Sequence, residues 1–254
     1  MKGIDNMRIN KFISSSGYSS RREADKLIEE GVVTLNGVTA VLGDVVEDGD
    51  IVIVNGDKIE HTNEIVYIAL NKPRGITSTT DKKDKTNLVD FIGHKERIFH
   101  IGRLDKDSEG LILMTNDGDI VNDILRSEYE HEKEYIVRVD KFITDNFINQ
   151  MSQGVMIKDK MTKECFVEKM SEYYFRIILT EGMNRQIRKM CDQFNYRVFS
   201  LKRIRVMNIS LDLPVGKWRN LTTEEITELK SRLKQNKTSI WCFIFYIYIL
   251  IPLL

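Results

Sequence analysis

The apolar positions follow a helical spacing at the start of the chain and change to strand patterns after residue 31. Ile9, Phe12 and Ile13 recur at i, i+3, i+4, which predicts a short amphipathic helix ended by Gly17. Ser20-Arg21-Arg22-Glu23 opens a second helix as a capping box, where Ser and Glu satisfy exposed backbone donors reciprocally. Ala24, Leu27 and Ile28 line its buried face, and Gly31 supplies the left-handed stop. Val32 to Leu35 then runs into Asn36-Gly37, a hairpin signal, and the apolar run Ile51 to Val54 closes on Asn55-Gly56. Residues 1–6 read as a loose extension, 7–60 as one small helix-helix-strand module, and the polar stretch 61–66 as a linker.

Beyond the linker the strand pattern dominates. Ile65 to Leu70 is predicted as a strand stopped by Asn71-Lys72-Pro73-Arg74-Gly75, since Pro removes a ladder donor and Gly frees the turn. Thr77 to Thr86 is polar and reads as a mobile loop, Leu88 to Ile92 as a short helix. Leu111 to Met114 reads as a buried strand and Asp119 to Leu125 as a helix. Tyr135 to Val139, Phe166-Val167 and Tyr174 to Leu179 are further strands. Phe142 to Met151 and Asn184 to Phe194 are helices, the latter with Ile187, Met190, Cys191 and Phe194 on one face. These elements predict an α+β protein whose larger domain, residues 67–230, has a mixed, largely antiparallel sheet, followed by a tail at 231–254.

Composition changes this picture little, and charge distribution changes it more. The 254 residues are 42% hydrophobic and 30% charged, with a formal net charge of zero. That sum argues against indiscriminate nucleic-acid binding, but a local basic stripe still steers phosphate. Arg8, Lys11, Arg21, Arg22 and Lys26 make the first two helices basic, while Asp44, Glu47, Asp48 and Asp50 make the following segment acidic. From Arg185 to Arg205 the only acid is Asp192, with Arg188, Arg197, Lys202 and Arg203 among the cations. Cys165, Cys191 and Cys242 share no CxxC spacing, which suits a reducing compartment. The four histidines, at 61, 94, 100 and 131, have no metal-ligand spacing, so no metal is expected. The chain starts without an apolar signal segment, so a cytoplasmic location is the expectation.

The stretch most suggestive of chemistry is Gly102-Arg103-Leu104-Asp105-Lys106-Asp107-Ser108-Glu109-Gly110, which delivers an acid and a cation between glycines into an apolar setting. On local composition alone the preferred reading is an ordinary loop with its own ion pair. Taken alone, Tyr135 reads first as a core strand tyrosine, and Arg185 and Arg188 read also as residues that cap and solubilise a helix.

Two resemblances bear on these alternatives. Arg8 to Phe12, Ser19 to Ala24, Ile28 to Val33 and Leu35-Asn36-Gly37 resemble the S4 (α-L type) RNA-binding domain. Asn71 to Gly75, Gly102 to Asp105 with Gly110-Leu111, Thr115 to Gly118, Lys133-Glu134-Tyr135 and Gly182 to Arg188 together resemble the RNA pseudouridine synthases that carry an N-terminal S4 domain. The likeness runs from about Arg8 to about Ile226. His131 to Tyr135 and Asn184 to Met190 are similar in particular to the type F enzymes of large-subunit (23S) ribosomal RNA.

The resemblance implies isomerisation of uridine through rupture of N1–C1′, turning of the base and rejoining through C5, without a cofactor. It implies that Asp105 is the nucleophile, acting either by attack on the sugar or by deprotonating it. Tyr135 would pack on the flipped base, Arg103 would fill the space that the base leaves, and Arg188 would pair with the catalytic carboxylate. Arg185, Lys72 and Arg203 are expected RNA contacts beside Arg8, Lys11, Arg21, Arg22 and Lys26 of the S4 module. A cation is needed on physical grounds. Full burial would raise a carboxylate pKa by up to roughly 3–5 units, and an Arg about 4 Å away is worth about 4 kcal/mol at an effective dielectric near 20 before desolvation. Partners implied are large-subunit ribosomal RNA, with a tRNA left open as an additional substrate, and a monomer is expected. A rival reading is a non-catalytic S4-type RNA-binding or ribosome-assembly factor.

The segment from Ile240 to Leu254 departs from that family's pattern. Its apolar run of 15 residues makes roughly 22 Å of helix, short of the roughly 30 Å of a bilayer core. Membrane-surface attachment and an accident of the reading frame are the alternatives, and the second is preferred.

Overall fold

The computed structural model describes residues 6–60, 64–125 and 130–235, so the tail from Ile240, the N-terminal extension through residue 5 and positions 61–63 of the linker lie outside the described residues. The chain forms two compact units: one runs through Val66 and takes in His94–Ile98 and Asn116–Gly118, and the other holds the remainder.

In the first unit the helices Ile9–Ser15 and Arg21–Glu29 bury Ile9, Phe12, Ile13, Ala24 and Ile28, as their spacing predicts. The capping box forms: Glu23 N donates to Ser20 Oγ at 3.2 Å, and Ser20 N donates to a Glu23 carboxylate oxygen at 3.4 Å. Four short strands pair in the order Val38–Thr39, Val33–Leu35, Val52–Val54, Asp57–Ile59. Both Asn-Gly turns have positive φ at each residue, 52° and 81° at Asn36-Gly37 and 52° and 88° at Asn55-Gly56, as a type I′ hairpin requires. Arg8, Arg21, Arg22 and Lys26 are exposed and Lys11 is half-buried.

The second unit is built on a nine-stranded sheet. Its main path runs Phe166–Lys169, Tyr174–Leu179, Lys133–Val139, Val198–Val206, Glu109–Thr115, Tyr67–Lys72, Trp218–Asn220, with Phe99–Ile101 and Ile209–Ser210 paired at its side. Every pairing is antiparallel except Val198–Val206 with Glu109–Thr115, which joins the two halves in parallel. Helix Gly118–Leu125 and a helix over 223–235 cover one half, burying Ile120, Ile124, Leu229 and Leu233 with Leu111 and Leu113. In the other half Phe147 of helix Asp145–Ser152 packs edge-on against Phe175 and Phe194.

Three sequence expectations change. The basic stretch after Arg197 is a nine-residue central strand, Val198–Val206, with Val198, Leu201, Arg203 and Val206 buried. The loop expected to be mobile is closed on itself: Thr77 N donates to Thr86 O at 2.8 Å, and the two Thr hydroxyls lie 3.0 Å apart. Lys72 is fully buried within the strand Tyr67–Lys72, which a lysine in sequence does not advertise.

Candidate active site

The loop carrying Asp105 connects strand Phe99–Ile101 to strand Glu109–Thr115 and is braced from beneath. Gly102 and Gly110 adopt φ of 73° and 108°, and a Cβ at Gly110 would lie 2.2 Å from the Arg203 carbonyl oxygen, so only glycine permits this strand contact. Ser78, almost fully buried, donates to Leu104 O at 2.7 Å and accepts from Leu104 N at 3.1 Å. Gly75 N donates to Lys106 O at 2.8 Å. Lys72 Nζ ties down the supporting turn by donating to Pro73 O at 2.9 Å and Ile76 O at 2.7 Å. Its burial pushes the ammonium pKa down to about 8, against the pull of Asp107, Asp105 and Glu109. Lys72 is therefore a support for the loop and has no surface for RNA, contrary to the sequence expectation.

Asp105 keeps 31% of its side chain exposed at one side of a cleft of about 570 Å³. Arg185 Nη1 lies 3.3 Å from Asp105 Oδ2 and 3.4 Å from Asp107 Oδ1. Arg185 reaches there because it precedes helix Gln186–Gln193 in a left-handed conformation, φ 53° and ψ 38°. Arg188, one turn into the helix, is buried and points beneath the loop. Its Nη2 lies 3.2 Å from Asp107 Oδ2 and 3.3 Å from Ser108 Oγ, and its Nη1 donates to Val198 O at 3.1 Å. The expected pairing of Arg188 with Asp105 is thus corrected: Arg185 holds Asp105, and Arg188 holds Asp107. Asp107 binds both arginines, while Lys106 Nζ donates to Thr86 Oγ1 at 3.2 Å.

Tyr135, 9% exposed, faces the same cleft from the strand Lys133–Val139, together with Lys133, Leu179, Leu201 and Arg203. Arg203 is 3% exposed and donates from Nε to Leu111 O at 2.7 Å, so it belongs to the cleft wall and is no surface phosphate contact as first expected. Arg103 is exposed and borders both this cleft and an adjoining groove lined by Arg74, Ser78 and Lys106. Sequence reasoning missed Ser78, for which no local signal exists. It also passed over Lys133, whose place two residues before Tyr135 on one strand face was legible. Among the described residues no group of three or more His, Cys, Asp or Glu could hold a metal, and no helix is long and apolar enough to cross a membrane.

An S4 domain family model matches residues 7–52, and the RNA pseudouridylate synthase model matches residues 66–193. The dual-specificity RNA pseudouridine synthase RluF of Escherichia coli strain K12 is 54% identical over 92% of this chain and 81% of its own length. The chain belongs to the RNA pseudouridine synthase family. The ribosomal large subunit pseudouridine synthase B of Bacillus subtilis strain 168 is 34% identical, covering 91% of this chain and 99% of that one. A crystal structure of a pseudouridylate synthase superposes with a TM-score of 0.64 at 27% identity, over 88% of this chain and 99% of that one. The pseudouridine synthase is accordingly an α+β isomerase with an N-terminal S4 domain, in a family for which an aspartate nucleophile is typical.

Proposed function

We propose that this synthase isomerises a uridine of large-subunit (23S) ribosomal RNA, with Asp105 as its nucleophile. The observation that carries the reading is a partly exposed Asp105 held by Arg185 across a cleft from Tyr135. The cleft volume of about 570 Å³ falls within the ~300–1,000 Å³ range of small-ligand sites, enough for one flipped nucleoside. The target base leaves its stack and packs on Tyr135, and Arg103 at the mouth fills the gap it leaves. Asp105 acts on the sugar, by attack at C1′ or by removing a proton; the N1–C1′ bond breaks, and the base turns and rejoins through C5. Arg185 keeps the carboxylate aimed. Arg188 fixes Asp107 and Ser108 so that the loop presents Asp105 in one geometry.

The domain limits proposed are 7–60 for the RNA-binding module and 67–230 for the catalytic one. Arg8, Lys11, Arg21, Arg22 and Lys26 are its RNA contacts, placing phosphates while the cleft reads the target. The protein acts as a cytoplasmic monomer. A tRNA as second substrate is favoured by the dual-specificity designation that RluF of Escherichia coli and of Salmonella typhi carry.

The test is to incubate the purified protein with ribosomal RNA transcript and map pseudouridine by carbodiimide adduct and primer extension, beside Asp105→Asn. Wild type is expected to modify a discrete site and the variant none. Equal modification by both would overturn Asp105 as the nucleophile, and no modification by wild type would overturn this RNA as the substrate. Binding should persist in the variant and weaken with salt, because phosphate contacts release counterions.

A further inference from the structure

Two cations in the cleft are used by none of the roles above. Lys133 lies two residues before Tyr135 on one strand and so shares its face, and Arg203 lies opposite Tyr135 on the neighbouring strand. A β-bulge is what brings Arg203 there. The register passes from Glu134↔Arg205 to Tyr135↔Arg203 and skips Ile204. In unbroken alternation Arg203 and Arg205 would be directed to the same face. Here Arg205 goes to the opposite face, where it meets Glu134 at 2.7 Å and Glu132 at 2.9 Å, and Arg203 enters the cleft.

Neither cleft cation has a counter-charge within ion-pair distance among the described residues. Lys133 Nζ donates to His131 O at 3.0 Å, and Arg203 Nε to Leu111 O at 2.7 Å, while Arg203 Nη2 is enclosed with no acceptor. Burial and the nearby Arg203 charge push the Lys133 ammonium pKa down to about 8. Burying positive charge without a partner is unfavourable, and such a charge acts strongly on negative charge that develops beside it.

Rupture of N1–C1′ creates such a charge. The bonding pair stays on uracil N1 and spreads to O2 and O4, whether Asp105 attacks C1′ or takes a sugar proton. We propose that Lys133 and Arg203 form the site that stabilises this uracil anion against Tyr135 until C5 bonds to C1′. As that bond forms, the Asp105–C1′ bond breaks if Asp105 had attacked, or the sugar carbon regains its proton from Asp105 if a proton had been removed; the C5 proton is then lost and N1 gains one, which completes the isomerisation. The inference rests on the reading of Asp105 and its cleft given above.

Lys133 bonds a single backbone carbonyl, so Lys133→Gln removes the charge without disturbing the Arg203 bond to Leu111. The experiment follows glycosidic rupture in single turnovers on transcripts made with uridine or with 5-fluorouridine, whose uracil anion is the weaker base. Lys133→Gln should slow the uridine reaction by about 10²-fold, slow the fluorouridine reaction far less, and leave RNA affinity nearly unchanged. Lys133→Arg should restore most of the rate. Equal slowing on both substrates, or a loss confined to affinity, overturns the proposal. Asp105→Asn runs in parallel. If wild type itself makes no pseudouridine, the reading of the site fails. If wild type is active, Asp105→Asn inactive and Lys133→Gln unaffected, only the anion site fails.

Discussion

Arg185 meets Asp105 across 80 positions of sequence, with Nη1 3.3 Å from Oδ2, and does so from a left-handed backbone at φ 53°. Both side chains are more than a quarter exposed, so the pair contributes at most about 1 kcal/mol to stability. It fixes the orientation of that carboxylate at the edge of the cleft. Arg185→Gly separates the two effects, because glycine relieves roughly 1–2 kcal/mol of left-handed strain while deleting the guanidinium. We expect a midpoint of urea unfolding that is unchanged or higher, and single-turnover modification slowed at least about 10²-fold. Full activity in Arg185→Gly would exclude Arg185 as the partner of Asp105.

Arg188 is the opposite case. It is buried and joins Asp107, Ser108 Oγ and the Val198 carbonyl, so its removal leaves Ser108 and that carbonyl without a donor. Arg188→Met is expected to lower unfolding stability by about 1–3 kcal/mol per orphaned group, and to lose activity with the fold. A variant that is as stable as wild type but inactive would assign Arg188 a direct part in the chemistry instead.

Gly110 faces the Arg203 backbone, where an added Cβ would stand 2.2 Å from the carbonyl oxygen and 2.7 Å from the nitrogen. At φ 108° the residue is also closed to side chains. Gly110→Ala must therefore part the one parallel strand pairing of the sheet, and a loss above about 4 kcal/mol is expected, beyond the range of ordinary substitutions. Circular dichroism melting decides it: a wild-type melting temperature would contradict the close approach.

Much of this arrangement was legible in the sequence, and the exceptions share a physical origin. Helical spacing at Ile9, Phe12 and Ile13, the Ser20–Glu23 box and the two Asn-Gly turns are local signals, and each forms as predicted. Strand Val198–Val206 escaped notice because Lys202, Arg203 and Arg205 suggest a solvated surface and the Ile204 bulge interrupts period two. The exchange of roles between Arg185 and Arg188 depends on one left-handed residue before a helix, which an arginine does not signal. Lys72 and Ser78 act through backbone carbonyls of a turn and a loop, a partnership no spacing rule exposes.

The apolar segment after Lys237 has no counterpart in the chemistry assigned to the cleft. Truncation after Lys237 is expected to leave modification of the transcript within about twofold of the full chain, and to reduce aggregation, since sequences rich in β-branched and aromatic residues self-associate. A tenfold fall in single-turnover rate would show that the segment serves the reaction.

Burial of Lys72 makes stability depend on pH, and replacing Lys72 isolates its share of that dependence. Its ammonium is buried and has a pKa of about 8 in the fold, against 10.5 when free. Below pH 8 both states carry the proton, and the folded state bears the full penalty of the buried charge. Between pH 8 and 10.5 the unfolded chain still binds a proton that the folded chain has released, so stability rises with pH. The gain amounts to roughly 3 kcal/mol at about 1.4 kcal/mol per pH unit. Lys72→Met lacks this titration but also lacks the bonds to Pro73 O and Ile76 O. The difference in unfolding free energy between wild type and Lys72→Met should therefore shift in favour of wild type as pH rises from 8 to 10.5. A difference that stays constant over that interval would mean that Lys72 keeps its proton in the fold.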